Sequence, residues 1–140
     1  RKTGYPGMKI LQFAFDSRED SDYLPHNYSA NCVVYTGTHD NETTAGWITT
    51  RTEQDREFLE RYLNRKRDED LCWELIRTAV ASVADIAIIP MQDYLALGNE
   101  ARINTPSTLG DNWKWRMSKG AATDELAEKI YGLTKMYGRL

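Results

Sequence analysis

The chain has 140 residues, with 18 Lys+Arg against 21 Asp+Glu and a formal net charge of -3. That length suits one domain with a core of its own, and 41% hydrophobic with 11% aromatic residues is a globular rather than a disordered composition. The balanced charge speaks against a nucleic-acid module, which carries a basic face, and no apolar run approaches the ~18–20 residues of a membrane span. Neither nucleic acid nor membrane is therefore expected as a partner. Cys32 and Cys72 both fall in apolar runs and read as buried thiols rather than a disulfide pair, which fits a reducing, cytoplasmic compartment. The opening Arg1-Lys2-Thr3-Gly4, with no initiator Met and strand-like residues almost at once, is what a piece of something longer would show.

Taken in chain order, the first apolar run, Lys9–Phe15, follows the turn-like Gly4-Tyr5-Pro6-Gly7 and reads as a strand. Asn31–Tyr35, rich in β-branched residues, reads as a second, and Asp85–Ile89, closed by Pro90, as a third. The last two are almost continuously apolar, the mark of strands covered on both faces, as in parallel sheets. Between them lie helical patterns. A short helix is expected near Thr44–Thr50. Asp55–Leu63 puts Phe58, Leu59, Tyr62 and Leu63 on one face of a charge-dense stretch. Leu71–Val83 carries one broad apolar stripe, with Asp68, Glu69 and Asp70 at its dipole-favoured start. A last helix is expected from about Thr123, a suitable N-cap, to Tyr137, with Leu126, Ile130, Leu133 and Tyr137 on one side. Strands alternating with helices imply an α/β fold with parallel pairing. The stretch Gly98–Ala122 has no clear periodicity, and a loop of that length in a compact domain is often functional.

The sharpest local signal follows the second strand. Gly37 permits a bend after Tyr35-Thr36, and a polar cluster runs from Thr38 through His39, Asp40, Asn41 and Glu42 to Thr44. In parallel α/β folds ligands bind beyond the carboxyl ends of the strands, so His39 and Asp40 stand where a substrate would be. The other reading is that Asp40 or Asn41 caps the next helix, and spacing alone leaves both open. A metal site built from His39, Asp40 and Glu42 is a poor match, because adjacent residues rarely converge on one ion and the only other histidine is His26. Asp93, after the third strand, is expected to cap or sit on a short helix, with a catalytic role as the alternative. In the long loop, Arg102, Asn104 and Asn112 stand near Trp113 and Trp115. Amides, guanidinium and indole suit a sugar, whose C–H faces cover rings while its hydroxyls bond the polar groups. Equally, the tryptophans pack the closing helix. There is no phosphate loop, no Cys-x-x-Cys and no nucleophile elbow.

Several of these segments, taken together and in order, resemble one family. They are Gly7–Phe15 (GMKILQFAF), Tyr23–Tyr28 (YLPHNY), Val34–Asn41 (VYTGTHDN), Ile89–Asp93 (IPMQD), Ala101–Pro106 (ARINTP) and Asn112–Arg116 (NWKWR). The family is that of the 4-α-glucanotransferases (amylomaltases). The resemblance implies that residues 1–140 are the last three βα units of a (β/α)8 barrel, a fold of ~250 residues when whole. It implies a retaining transfer of α-1,4-glucan segments between maltooligosaccharides, starch or glycogen chains, carried out by three carboxylates and no cofactor or metal. The family's His-Asp motif falls on His39-Asp40. Asp40 is then the transition-state stabiliser, His39 a donor-subsite hydrogen-bonder to the sugar, and Asn104 a further sugar contact. The nucleophile and the acid/base belong to earlier strands that this chain does not contain, so the fragment by itself is expected to be inactive. Its two open sheet edges are expected to make it self-associate. A non-catalytic, glucan-binding or self-assembling partial barrel is the alternative.

Overall fold

The structure is a computed structural model that describes residues 3–140. Arg1 and Lys2, which open the domain expected over 1–140, lie outside the described residues. Three strands, β1 (Gly7–Ile10), β2 (Cys32–Tyr35) and β3 (Ile86–Ile88), form one sheet in the order β1-β2-β3, with both pairings parallel. The register pairs Met8 with Val33 and Ile10 with Tyr35 on one side of β2, and Val33 with Ile86 and Tyr35 with Ile88 on the other. Paired residues of a parallel sheet share a face. Lys9, Val34 and Ala87 therefore point one way, and Met8, Val33, Ile86, Tyr35 and Ile88 the other.

The first face is covered. Helices α1 (Thr44–Thr49), α2 (Glu53–Leu63) and α3 (Asp68–Ala81) lie over Cys32 and Val34 and enclose a single main core with Leu11, Phe15, Trp47, Leu59, Leu71 and Leu75. The second face is open. Met8, Ile86 and Ile88 are 55%, 49% and 43% exposed. The sequence pattern of strands buried on both sides is thus matched on only one side. The apolar second face is present, but no described element covers it.

The first strand is shorter than the run Lys9–Phe15 suggests. It stops at Ile10, and Leu11–Phe13 form a turn of 3-10 helix. The reason is visible in the burial. Leu11, Ala14 and Phe15 are spaced as on a helix and all three enter the core, whereas a continued strand would send alternate residues to opposite faces. Phe15 then becomes the hub of an aromatic cluster, with ring centroids 6.2 Å from Trp47, 5.9 Å from Phe58 and 5.4 Å from Tyr62. On β1 itself, Lys9 turns toward the helical side with its ammonium over the rings of Tyr23 and Tyr28.

Helix α2 begins at its N-cap Thr52, whose hydroxyl accepts from the Asp55 amide, and ends at Asn64 in the left-handed region (φ 55°). Its expected face is buried through Leu59 and Leu63. Helix α3 buries Leu71, Cys72, Leu75, Ile76, Ala79 and Val80, as its stripe requires, and carries its three acidic residues in the first turn. It stops two residues short of Val83, which is exposed. Ser82 breaks the helix by turning its hydroxyl back to the Ala79 carbonyl. Arg139 then caps the end, donating Nε to Val80 O (2.7 Å) and Nη2 to Ser82 O and Ala84 O (2.9 and 2.7 Å). Both cysteines are buried and form no disulfide.

After β3 come the short helix α4 (Met91–Tyr94), a 3-10 turn (Asn99–Ala101), a long loop, and α5 (Asp124–Met136). The Thr123 cap of α5 is as expected, with its hydroxyl accepting from the Leu126 amide. The expected apolar side of this helix is thinly used. Only Leu133 is buried, against Ile76 and Val80, while Tyr137 stays exposed. The tryptophan that meets α5 is Trp73, with the Lys129 ammonium 3.7 Å from its ring centroid. Among the described residues no helix is long and apolar enough to cross a membrane.

The aromatic cluster gives a direct stability test. Phe15→Ala removes the hub from a site with almost no solvent access. It is expected to lower the unfolding free energy by about 3–5 kcal/mol, read from the urea midpoint at constant slope.

Candidate active site

Residues 37–43 join β2 to α1 and carry the polar cluster. Both ends of this loop are fixed by one buried side chain from elsewhere in the fold. Asp93, on α4, is 2% exposed. Its carboxylate accepts from the Thr36 hydroxyl (2.5 Å) at the end of β2, and from the amide and hydroxyl of Thr44 (2.9 and 2.8 Å) at the start of α1. Of the two expectations for Asp93, the cap on a short helix is the one the geometry fits, although the helix it caps is α1 rather than its own. Thr43 shares the task, accepting from the Gly46 amide. Asp40 and Asn41 are therefore not the cap of α1, and the capping alternative for them lapses. Asn41 instead folds back on its own loop, accepting from the Thr38 amide and hydroxyl (2.8 Å each).

Two further residues that sequence reasoning did not single out brace the same loop. Gln12, from the turn after β1, is buried and donates Nε2 to Glu42 O (3.0 Å) and to the Thr44 hydroxyl (3.2 Å). Asn99 accepts from the Thr43 amide (3.2 Å) and donates to the Glu42 carboxylate (3.0 Å). Gly37 is needed here for clearance: a Cβ at this position would run into the Gln12 amide. Its phi angle is not positive, so the bend expected of it is not its contribution.

With the loop so held, the three residues singled out from sequence come together. The Asn104 side-chain amide donates to Asp40 Oδ1 at 2.7 Å. His39 Nε2 lies 3.4 Å from Asp40 Oδ2, and becomes an ion-pair partner when the imidazole is protonated. The Asn104 backbone amide closes the arrangement on His39 O (3.1 Å). The His39 and Asp40 side chains remain 52% and 50% exposed. They face a cleft of about 460 Å³ that lies over the last residues of β2 and β3, with Tyr35, Ile88, Met91 and Met8 in its wall.

Trp113 borders this group. Its ring centroid is 5.0 Å from that of His39, it is 59% exposed, and its backbone sits at φ 62°. A bulky residue in that region is strained by about 1–3 kcal/mol. The strain is held by Trp113 N donating to Ile103 O (2.7 Å) and by Asn112, whose side chain accepts from the Thr105 amide and donates to Thr108. Of the two tryptophans offered as packing for the closing helix, Trp113 stands exposed beside His39 instead. Among the described residues no three His, Cys, Asp or Glu side chains gather as metal ligands would.

Comparison with known proteins gives the chain a family. The sequence profile of the 4-alpha-glucanotransferases matches residues 1–123. The chain belongs to the 4-alpha-glucanotransferase family. A 4-alpha-glucanotransferase of Clostridium butyricum is 52% identical over 99% of this chain, and one of Thermus thermophilus is 44% identical over 98%. An amylomaltase of Streptococcus agalactiae, solved in complex with acarbose, superposes with a TM-score of 0.93 at 39% identity over 99% of the chain. An amylomaltase of Corynebacterium glutamicum shares the fold at a TM-score of 0.66. The chain spans 29% of the length of each of the two glucanotransferases, and 28% of the Streptococcus agalactiae amylomaltase.

The Asp93 clamp has a pH signature. Burial, outweighing the three hydrogen bonds, raises its carboxyl above the ordinary value. The folded state then binds the proton more tightly than the unfolded state, so this group's contribution is full below the unfolded pKa and is lost as pH rises through the folded one. Asp16, Asp55 and Asp70 are shifted downward, chiefly by Arg18, Ser17 and Arg67, and tilt the profile the other way. The readout is therefore a difference. Subtracting the Asp93→Asn stability profile from the wild type should leave a component that falls as pH rises from about 4. Asp93→Ala, which orphans two threonine hydroxyls and an amide, should cost about 3 kcal/mol at low pH, where this contribution is full, and less as pH rises.

Proposed function

We propose that the chain is the C-terminal portion of a 4-α-glucanotransferase, formed by the last three βα units of its (β/α)8 barrel, with residues 1–140 lying within the catalytic domain. In this reading β1, β2 and β3 are the sixth to eighth barrel strands, and the open apolar face of the sheet is part of the barrel's interior wall. The reaction is the retaining transfer of an α-1,4-linked glucan segment from one maltooligosaccharide, starch or glycogen chain to the 4-hydroxyl of another. The observation that carries it is the Asp40 carboxylate. It stands half-exposed beyond the carboxyl end of β2, oriented by Asn104 and His39 and facing the cleft.

The roles follow from the charge of the transition state. Cleavage at the anomeric carbon passes through an oxocarbenium-like species, with positive charge spread over the ring carbon and oxygen. A carboxylate held in place beside that ring stabilises the cation more than it stabilises the neutral sugar, and so lowers the barrier. Asp40 does this. The hydrogen bond from Asn104 keeps its oxygens aimed, so no reorganisation is needed as charge develops. His39 presents a donor to a hydroxyl of the bound glucose, and Asn104 keeps a second edge for the sugar. Trp113 offers an exposed indole beside them, suited to the C–H face of a pyranose. The attacking carboxylate and the acid/base come from strands outside this chain. The chain alone therefore binds glucan weakly and transfers none. The buried thiols fit a cytoplasmic setting.

In the full-length enzyme, Asp40→Asn should abolish disproportionation of maltotriose, a loss of about 3 kcal/mol or more in barrier, while leaving glucan binding measured by calorimetry largely intact. Near-normal turnover would refute the assignment.

The exposed Met8, Ile86 and Ile88, together with two unpaired strand edges, favour a second reading of the isolated chain as a self-associating partial barrel. Sedimentation velocity should show a mass that rises with concentration. Met8→Lys and Ile86→Lys, both on the open face, should shift it toward monomer.

A further inference from the structure

Arg102 is a cation close to the site that is tied to no carboxylate. Among the described residues it forms no ion pair. Its side-chain hydrogen bonds go to two main-chain carbonyls: Nη2 donates to Asp40 O at 2.9 Å and Nε to Asn104 O at 2.9 Å. These carbonyls belong to the two loops whose side chains meet at Asp40. One guanidinium thus bridges the loop after β2 to the loop after β3, behind the Asn104–Asp40 side-chain bond.

We propose that Arg102 is a positioning residue for the transfer reaction, fixing the peptide plane of Asp40 relative to Asn104 so that the carboxylate points at the reacting sugar. The proposal rests on the reading of Asp40 given above. The geometry explains why an arginine is needed. The two carbonyls accept from two different nitrogens of one rigid planar group, and a guanidinium presents both donors at a fixed separation. A lysine ammonium is a single point on a flexible stem and cannot hold both oxygens in that relation. The carbonyl of Asp40 leads directly from the Cα that carries the carboxylate. Holding it restricts how the side chain is aimed, and also supplies a partner to a carbonyl that no backbone amide of a helix or strand reaches. Because Arg102 bonds carbonyls rather than the carboxylate, it orients Asp40 without pairing with its charge.

Misplacing a catalytic group by about an ångström costs on the order of a hundredfold in rate. In the full-length enzyme, Arg102→Ala is expected to lower kcat for maltotriose disproportionation by roughly ten- to a hundredfold, with KM nearly unchanged. Millimolar guanidinium chloride should restore part of the loss. Arg102→Lys retains a positive charge and a long stem, so it guards against a variant that fails to fold. With a native circular dichroism spectrum, it should still show the kcat deficit. Full kcat in folded Arg102→Lys, or an Arg102→Ala loss that appears in KM alone and ignores guanidinium, overturns the proposal. Asp40→Asn run alongside separates the two readings. If it is inactive while the Arg102 variants turn over normally, only the Arg102 role falls. If it turns over normally, the reading of Asp40 falls and takes this one with it.

Discussion

A carboxylate with almost no access to water, Asp93, is the point from which the rest of the site is hung. It joins the end of β2 to the start of α1 through two threonines, so the seven residues between them leave and return at fixed places. Such a group is costly to bury unless its lone pairs are answered, and here two hydroxyls and an amide answer them. The same α4 that carries Asp93 follows β3 directly. One short helix therefore couples the loop after β2 to the strand beside it, and the loop inherits the rigidity of the sheet. Gln12 does the equivalent from β1, and Asn99 from the stretch after β3. The connection after β1 thus contributes one polar side chain, and the stretch after β3 two, to the bracing of a single seven-residue loop. A site assembled this way has its precision set by the relative placement of neighbouring strands.

How much of this was legible in the sequence depended on the kind of signal. The helix α3 was legible because its stripe is long and periodic, and only its end was misjudged. Ser82 and the distant Arg139 stop it before Val83, and neither is a local periodicity signal. The strand β1 ends earlier than its run suggests for a similar reason: KILQFAF is mostly apolar, and only tertiary packing decides that Leu11, Ala14 and Phe15 shall share one helical face. The burial of both strand faces, expected from apolar residues on both sides of the strands, is met on one face only, and among the described residues Met8, Ile86 and Ile88 stay exposed on the other. At the site, His39 and Asp40 stand out from their place after a strand, and Asn104 as one amide of the long loop, with its particular role as a sugar contact coming from the family resemblance. Spacing does not decide between capping and exposure for Asp40, because Thr43 takes the N-cap of α1 and the remote Asp93 adds its carboxylate to the Thr44 amide. Gln12 and Asn99 carry no sequence signal for the same reason, and Arg102 stands out only as one polar member of the tryptophan-bearing loop. Each acts through a hydrogen bond to a loop remote in sequence.

Trp113 illustrates how a structural expectation gives way. A tryptophan near a closing helix is most economically used as packing, and Trp73 is used so beneath Lys129. Trp113 instead takes a backbone conformation that costs energy and leaves most of its ring in water. Strain together with exposure of a large apolar group is a combination that folding alone does not favour. The loop holds it there with three side-chain hydrogen bonds from Asn112 and a backbone bond to Ile103. In the proposed reading, the compensation is a sugar ring laid against the indole.

The choice of partners around Asp40 is itself an electrostatic argument. A carboxylate meant to stabilise a cation must be aimed, but anything cationic placed against it would cancel part of the field it exerts on the substrate. An Asn104 amide supplies direction with no net charge. The nearby guanidinium, which would make a strong bidentate pair, has its donors turned to carbonyl oxygens. His39 is the one neighbour whose charge is conditional, and at 3.4 Å from a half-exposed oxygen it adds a full positive charge only when protonated. A neutral imidazole leaves that field intact and offers its N–H to the sugar. In the proposed reading, His39→Gln, which keeps a donor but shortens its reach, should lower the rate of maltotriose disproportionation in the full-length enzyme. An unchanged rate would mean that the imidazole does not serve the sugar.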